Sequence, residues 1–236
     1  MKKIICVHLY NDFSGSPLVL ANVIKGFLKN GKEVIIVSSD SDGFLSDLPA
    51  KKERIPYTFT TNRWMRLLLF LVNQWRMFFH ILTYRKEETV IYINTLLPFG
   101  AALAGKLTGQ KVIYHIHETS IRPLVLKRFL KTIAAWTAKE CIYVSNYLKD
   151  TEPINRVSTS VVYNALSKDF VEEANNYLIT AKEPVQPFTV LMLCSLKGYK
   201  GIEEFIQLAE GLPKYRFNLV LNASMEQIKV YFNTRD

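Results

Sequence analysis

FTVLMLCSLKGYKGIEEFIQLAEGLPKYRFNLVL, residues Phe188–Leu221, sets out one α/β unit in order. The apolar run Val190–Cys194 reads as a buried strand. A short loop from Ser195 to Gly201 follows, with Lys197 and Lys200 flanking Gly198. Ile202, Phe205, Ile206 and Ala209 then recur at helical spacing. A strand that passes through a glycine-containing loop into a helix presents free backbone N–H groups and the positive end of a helix dipole. Such a place holds phosphate. Lys200-Gly201, at the start of that helix, would put an ammonium against a diphosphate.

The preceding residues repeat the alternation. Strands are expected at Lys3–Leu9, Glu33–Ser38, Thr89–Asn94, Lys111–His117, Glu140–Val144 and Ser160–Tyr163. Helices are expected at Pro17–Asn30, Asn62–Tyr84, Pro98–Thr108 and Arg122–Ala138, with a short one from Asn146. This pattern implies βαβ crossovers and a parallel sheet covered on both faces. Gly31 is placed to end the first helix. From Lys168 to Pro187 the chain turns acidic and Asn-rich and ends in two prolines, which reads as an interdomain linker. The expected division is a Rossmann-like domain over 1–170, a linker over 171–187, and the opening of a second Rossmann-like domain over 188–236.

The net charge of +9 is uneven. Between Lys51 and Lys131 stand 14 basic and 4 acidic residues, a surplus that favours an anionic partner. Within it, the helix at 62–84 mixes aromatic and aliphatic residues with arginine and carries no acid. Trp64, Leu68, Leu71, Trp75 and Phe79 belong to its broad apolar face, while Phe70 and Met77 intrude on the polar one. Two readings fit: a helix packed on two neighbours with arginines at its rim, or one lying on an anionic membrane. For the second, Arg63, Arg66, Phe70, Arg76 and Met77 are the interface candidates. No nucleic-acid motif accompanies the charge. Cys6, Cys141 and Cys194 are isolated in apolar contexts, as buried thiols of a reducing, cytoplasmic compartment would be. The expected location is therefore cytoplasmic, with peripheral contact on the inner face of the cell membrane if the helix is interfacial.

Polar residues cluster at the expected strand ends, where doubly wound sheets bind ligands. Ser14-Gly15-Ser16 joins the first strand to the first helix. Gly15 permits close backbone approach and Ser16 can cap, but the loop is not a GxGxxG fingerprint. His115 and His117 share a strand face, with Glu118 beside them; no third metal ligand is placed by local spacing. His117 is suited to hydrogen-bond a substrate hydroxyl or phosphate. Ser145 and Asn164 stand at two further strand ends, each able to cap a helix or to line a cleft.

Taken in order, these pieces resemble the family-4 glycosyltransferases of the GT-B fold. Ser14-Gly15-Ser16 resembles the family's glycine loop, and Lys111–Glu118 its strand ending in a histidine and an acid. Tyr143-Val144-Ser145 and Val161–Ala165 resemble two further strand ends, and Leu191–Ala209 the lysine-glycine opening of the second domain. The resemblance implies a retaining, metal-independent transfer of a sugar from a UDP- or GDP-linked donor, with no cofactor. The acceptor would be an envelope glycan or a lipid-linked molecule, lying against the first domain. It also implies that Gly15 and Ser16, with Lys197, Lys200 and Gly201, approach the donor. His117 and Glu118 would act at the transferred sugar, and Ser14, Ser145 and Asn164 would line the acceptor side. Ser195 stands where the family has an arginine, and Ala165 where it has a glycine. The family's paired-glutamate motif falls beyond Asp236, so residues 1–236 alone are expected to turn over little. A non-catalytic transferase-like domain that binds membrane or a partner fits the same residues, as does another nucleotide-sugar enzyme such as an epimerase.

Overall fold

The computed structural model describes residues 3–57, 60–117, 121–180 and 187–233. The chain divides into two compact units, Met1–Ser167 and Lys168–Asp236. The first contains β1 (Lys3–Val7), α1 (Gly15–Lys29), β2 (Val34–Ser38), β3 (Lys51–Arg54), α2 (Arg63–Leu82) and β4 (Thr89–Asn94). It continues through α3 (Phe99–Leu107), β5 (Lys111–Ile116), α4 (Leu124–Thr137), β6 (Glu140–Tyr143), α5 (Asn146–Thr151) and β7 (Ser158–Val161).

The seven strands form one sheet in the order β3-β2-β1-β4-β5-β6-β7, parallel throughout. Val34–Ser38 is buried along its whole length, as a strand covered on both faces must be. Leu20, Ala21 and Ile24 of α1 pack on one face against Cys6, Ile36 and Tyr92. Helices α2, α3 and α4 cover the other through Met77, Ile81, Ala101, Leu130 and Ala134, against Ile5, Val7, Ile91 and Tyr114. Strand order therefore reverses between β1 and β4, and a crevice opens at their carboxyl ends. Gly31 closes α1 at φ +66°, with Gly31 N–H donating to the Leu28 carbonyl and Lys32 N–H to that of Phe27. This is the Schellman arrangement.

Four findings depart from the sequence-based expectations. Strand β3, KKER, was not anticipated, because a charged edge strand carries no apolar alternation. Strand β7 begins two residues earlier than expected. Lys168–Thr180, expected to belong largely to the linker, is helix α6; Phe170, Ala174 and Tyr177 recur there at helical spacing beneath an acidic composition. The fourth concerns α2, whose orientation is the reverse of what its periodicity suggests. Phe70 and Met77 are 8% and 0% exposed and cannot be interface residues, because they face the sheet with Ile81. Asn73 and Gln74 share that inner face. Asn73 Nδ2 donates to the Pro56 carbonyl at 3.0 Å, and Gln74 Oε1 accepts from Gly100 N–H at 3.0 Å. A Cβ on Gly100 would lie 2.1 Å from the Gln74 carbonyl oxygen, so α2 and α3 touch backbone to backbone.

The second unit holds α6, then β8 (Thr189–Ser195), a 3-10 turn (Gly198–Lys200), α7 (Ile202–Gly211), β9 (Arg216–Asn222) and α8 (Met225–Asn233). β8 and β9 pair in parallel from Thr189↔Arg216 to Ser195↔Asn222. Phe205 of α7 packs edge-on against Phe217 at 5.5 Å, while Leu191, Leu193 and Val220 leave the opposite sheet face exposed.

Candidate functional site

Polar strand ends of the first unit gather around the first turn of α1, beside the crevice between β1 and β4. A cleft of about 460 Å³ is lined by Gly15, Ser16, His117 and Asn164 among others, with Leu18, Val144 and Leu166 supplying apolar wall. Gly15 and Ser16 open α1, so their amides carry the positive end of the helix dipole. A Cβ on Gly15 would meet no protein atom within 4 Å; the space beside it is open.

His117 follows the last residue of β5. Its Nε2–H donates to Asn94 Oδ1 at 2.8 Å. The Asn94 amide nitrogen donates in turn to the Ser16 carbonyl at 3.0 Å and lies 3.1 Å from His8 Nδ1. One asparagine at the end of β4 thus ties together the ends of β1 and β5 and the first turn of α1. Burial, with smaller contributions from His115 and His8, holds the His117 imidazole at about 3, far below the usual histidine range. His115 is lowered to about 4 by burial, and His8 is lowered for the same first reason. The Tyr92 hydroxyl and His115 Nδ1 are hydrogen-bonded at 2.9 Å, and the His115 and His117 rings lie 4.3 Å apart. These imidazoles are neutral near pH 7. His117, with Nε2–H engaged by Asn94, keeps one ring nitrogen as an acceptor for a hydroxyl; it is poorly matched to proton transfer at that pH.

The next residue in β4's exit, Thr95, has φ +77°. For a β-branched residue this is a strained conformation, held by its N–H bond to the His115 carbonyl at 2.8 Å. Strain is thus concentrated beside Asn94.

The other anticipated residues lie elsewhere. Ser14 is drawn away from capping: its hydroxyl and amide both donate to Asp12 Oδ1. Ser145 caps α5, accepting from Leu148 N–H at 3.1 Å. Glu118 lies outside the described residues. In the second unit, Gly201 takes φ +82° at the start of α7, a conformation that favours glycine. Lys197 lines a cleft of about 710 Å³ at the carboxyl ends of β8 and β9, with Ser195, Asn222 and Glu226. Lys200 does not line it; its ammonium lies over the Tyr199 ring at 5.4 Å. Among the described residues, no group of three or more His, Cys, Asp or Glu side chains is arranged to hold a metal ion. Asn94 and His8 were not anticipated, although each is a polar residue closing an apolar strand, the signal that marked Ser145 and Asn164.

The chain matches no protein-family model and no curated protein sequence. It is similar to several solved structures. The crystal structure of Anabaena Alr3699/HepE in complex with UDP and glucose aligns at TM-score 0.67 and 17% identity, over 99% of this chain and 65% of that one. MurG of Acinetobacter baumannii aligns at TM-score 0.52 and 13% identity, over 98% of this chain and 63% of that one. The UDP-GlcNAc 2-epimerase of Neisseria meningitidis bound to UDP-GlcNAc aligns at TM-score 0.55 and 13% identity, over 98% and 69%. The fold is α/β, with the Rossmann-like parallel sheet of the GT-B type. The chain spans less than two thirds of the length of HepE and of MurG.

Proposed function

We propose that the protein is a nucleotide-sugar enzyme, and that its activity is sugar transfer. The observation that carries this reading is the cleft beside the first turn of α1, at the exits of β5, β6 and β7. There a helix N-terminus, an unobstructed glycine and a neutral histidine held by Asn94 line one concavity. Amides and dipole at Gly15 and Ser16 favour a phosphate, and an imidazole acceptor favours a sugar hydroxyl. The similar structures are complexes with UDP and glucose, with UDP-glucose and with UDP-GlcNAc, which supports the same ligand class here. In this reading transfer is retaining and metal-independent, as in family 4, with amides and helix dipole offsetting the charge of the departing diphosphate. The acceptor is an envelope glycan or a lipid-linked molecule.

Gly15→Leu tests the proposal on the full chain. A Cβ at this position meets no protein atom within 4 Å, so the thermal midpoint should hold while the longer side chain obstructs the cleft. Binding of UDP-glucose or a GDP-sugar, followed by calorimetry, should weaken by about tenfold or more. Binding that Gly15→Leu leaves intact refutes the assignment of this cleft. Epimerisation is a second reading, supported by the epimerase neighbours. Conversion of UDP-GlcNAc at its C2 centre without any acceptor would decide for it.

A further inference from the structure

The outward side of α2 is apolar, whereas its inward side carries Asn73 and Gln74. Trp64 is 69% exposed, Trp75 63% and Phe79 60%, with Leu68 and Leu71 between them on the same stripe. The Trp75 and Phe79 rings stack at 5.9 Å and form an aromatic ledge. Helix α4, on the same side of the sheet, does likewise with Val125, Phe129 and Trp136. Ring contacts from Phe70 to Phe99 (5.9 Å) and from Phe99 to Phe129 (5.2 Å) join the two helices across α3. Exposed aromatic residues on two helices that share one buried aromatic core mark a binding surface.

Its charges identify the occupant. Neither the stretch from Asn62 to Lys86 nor that from Arg122 to Lys139 contains an acidic residue; in the second, Lys127 and Lys131 pair with Glu152, and the arginines of this face carry its remaining positive charge. Arginines border the aromatic stripe: the Arg63 guanidinium lies over the Trp64 ring at 5.4 Å, and Arg76 donates to the Pro56 carbonyl. A symmetric pairing of two copies through this face would set these arginines against each other with no carboxylate between them. Anionic headgroups supply the missing charge, and acyl chains accept tryptophan and phenylalanine. Among the described residues no helix is long and apolar enough to cross a membrane, and α2 is fixed to the sheet by its inner face. We propose that the outer faces of α2 and α4 seat this protein on an anionic phospholipid bilayer, with both helices lying in the plane of the interface. The proposal does not depend on the nucleotide-sugar reading.

The test uses the full chain and vesicles of phosphatidylcholine, with and without phosphatidylglycerol. The protein should co-sediment with the anionic vesicles and much less with neutral ones, and added salt should weaken the association. All three tryptophans of the chain lie on these outer faces, so vesicle binding should shift their emission to the blue. Trp75→Glu with Phe79→Glu alters only exposed positions. It should reduce partitioning about tenfold or more at an unchanged circular dichroism spectrum. The proposal is overturned if the full chain ignores anionic vesicles, if it binds them with unshifted tryptophan emission, or if the double variant binds equally well. It is also overturned if sedimentation velocity shows a dimer that the double variant loses and vesicles do not displace.

Discussion

Acidification should unfold this protein through its buried histidines, and by a calculable amount. In the unfolded chain His115 and His117 titrate at the ordinary value of 6.5; in the folded chain they sit at about 4 and about 3. Groups whose folded pKa is depressed contribute stability that is complete above the unfolded value and is lost as pH falls toward the folded one. Between about pH 7 and pH 5 the unfolded chain takes up about 0.7 proton per imidazole while the folded chain takes up almost none. Each therefore removes about 2 kcal/mol, and the pair about 4 kcal/mol. With a urea dependence of about 2 kcal/mol per molar, the unfolding midpoint should drop by about 2 M. His8, also lowered by burial, adds in the same direction. Near-UV circular dichroism from the buried tyrosines Tyr92, Tyr114 and Tyr143 reports the first unit directly. In His115→Gln with His117→Gln the starting midpoint is lower, and most of its pH slope should vanish. A wild-type midpoint that moves by less than about 0.5 M, or a double variant with an undiminished slope, would refute this account.

Two further substitutions probe the packing and the site. Gly100→Ala places a methyl 2.1 Å from the Gln74 carbonyl oxygen, so α2 and α3 must separate; a loss of about 2–3 kcal/mol is expected in urea unfolding, and a wild-type midpoint would show that the contact is slack. Asn94→Asp sets a carboxylate against His117 Nε2 in place of a neutral amide. That carboxylate favours the imidazolium, so the His117 titration followed by NMR should rise back toward the ordinary histidine value; no movement would mean that the 2.8 Å contact does not govern it.

The alternation of strands and helices was legible because buried parallel strands and periodic helices carry strong apolar signals. Thr89–Asn94 was found to the residue, and Gly31 ended α1 as its φ demands. Strand β3 was illegible because its stability comes from pairing with β2 at the sheet edge, not from its own apolar side chains. Helix α2 shows a different limit. Periodicity reveals that a helix has an apolar side, but not that the polar side is the one facing inward. Asn73 and Gln74 settle that through hydrogen bonds to Pro56 and Gly100, partners that no local pattern identifies. Within the site, Gly15, Ser16, His117 and Asn164 were recognisable as strand or loop ends. Asn94 and His8 acquire meaning only from each other, across 86 positions of chain.

That separation bears on how the site comes into being. Asn94 reaches back to His8 and Ser16 and forward to His117, so its contacts close only after β4 has inserted beside β1 and β5 beside β4. A nascent chain that has emerged only through α2 can pair β1, β2 and β3, yet it holds none of these bonds. Such distant pairings are slow, because loop closure must precede any gain from the contact. The polar junction is thus complete only once both β4 and β5 are in place, and full ligand competence should appear with the second insertion.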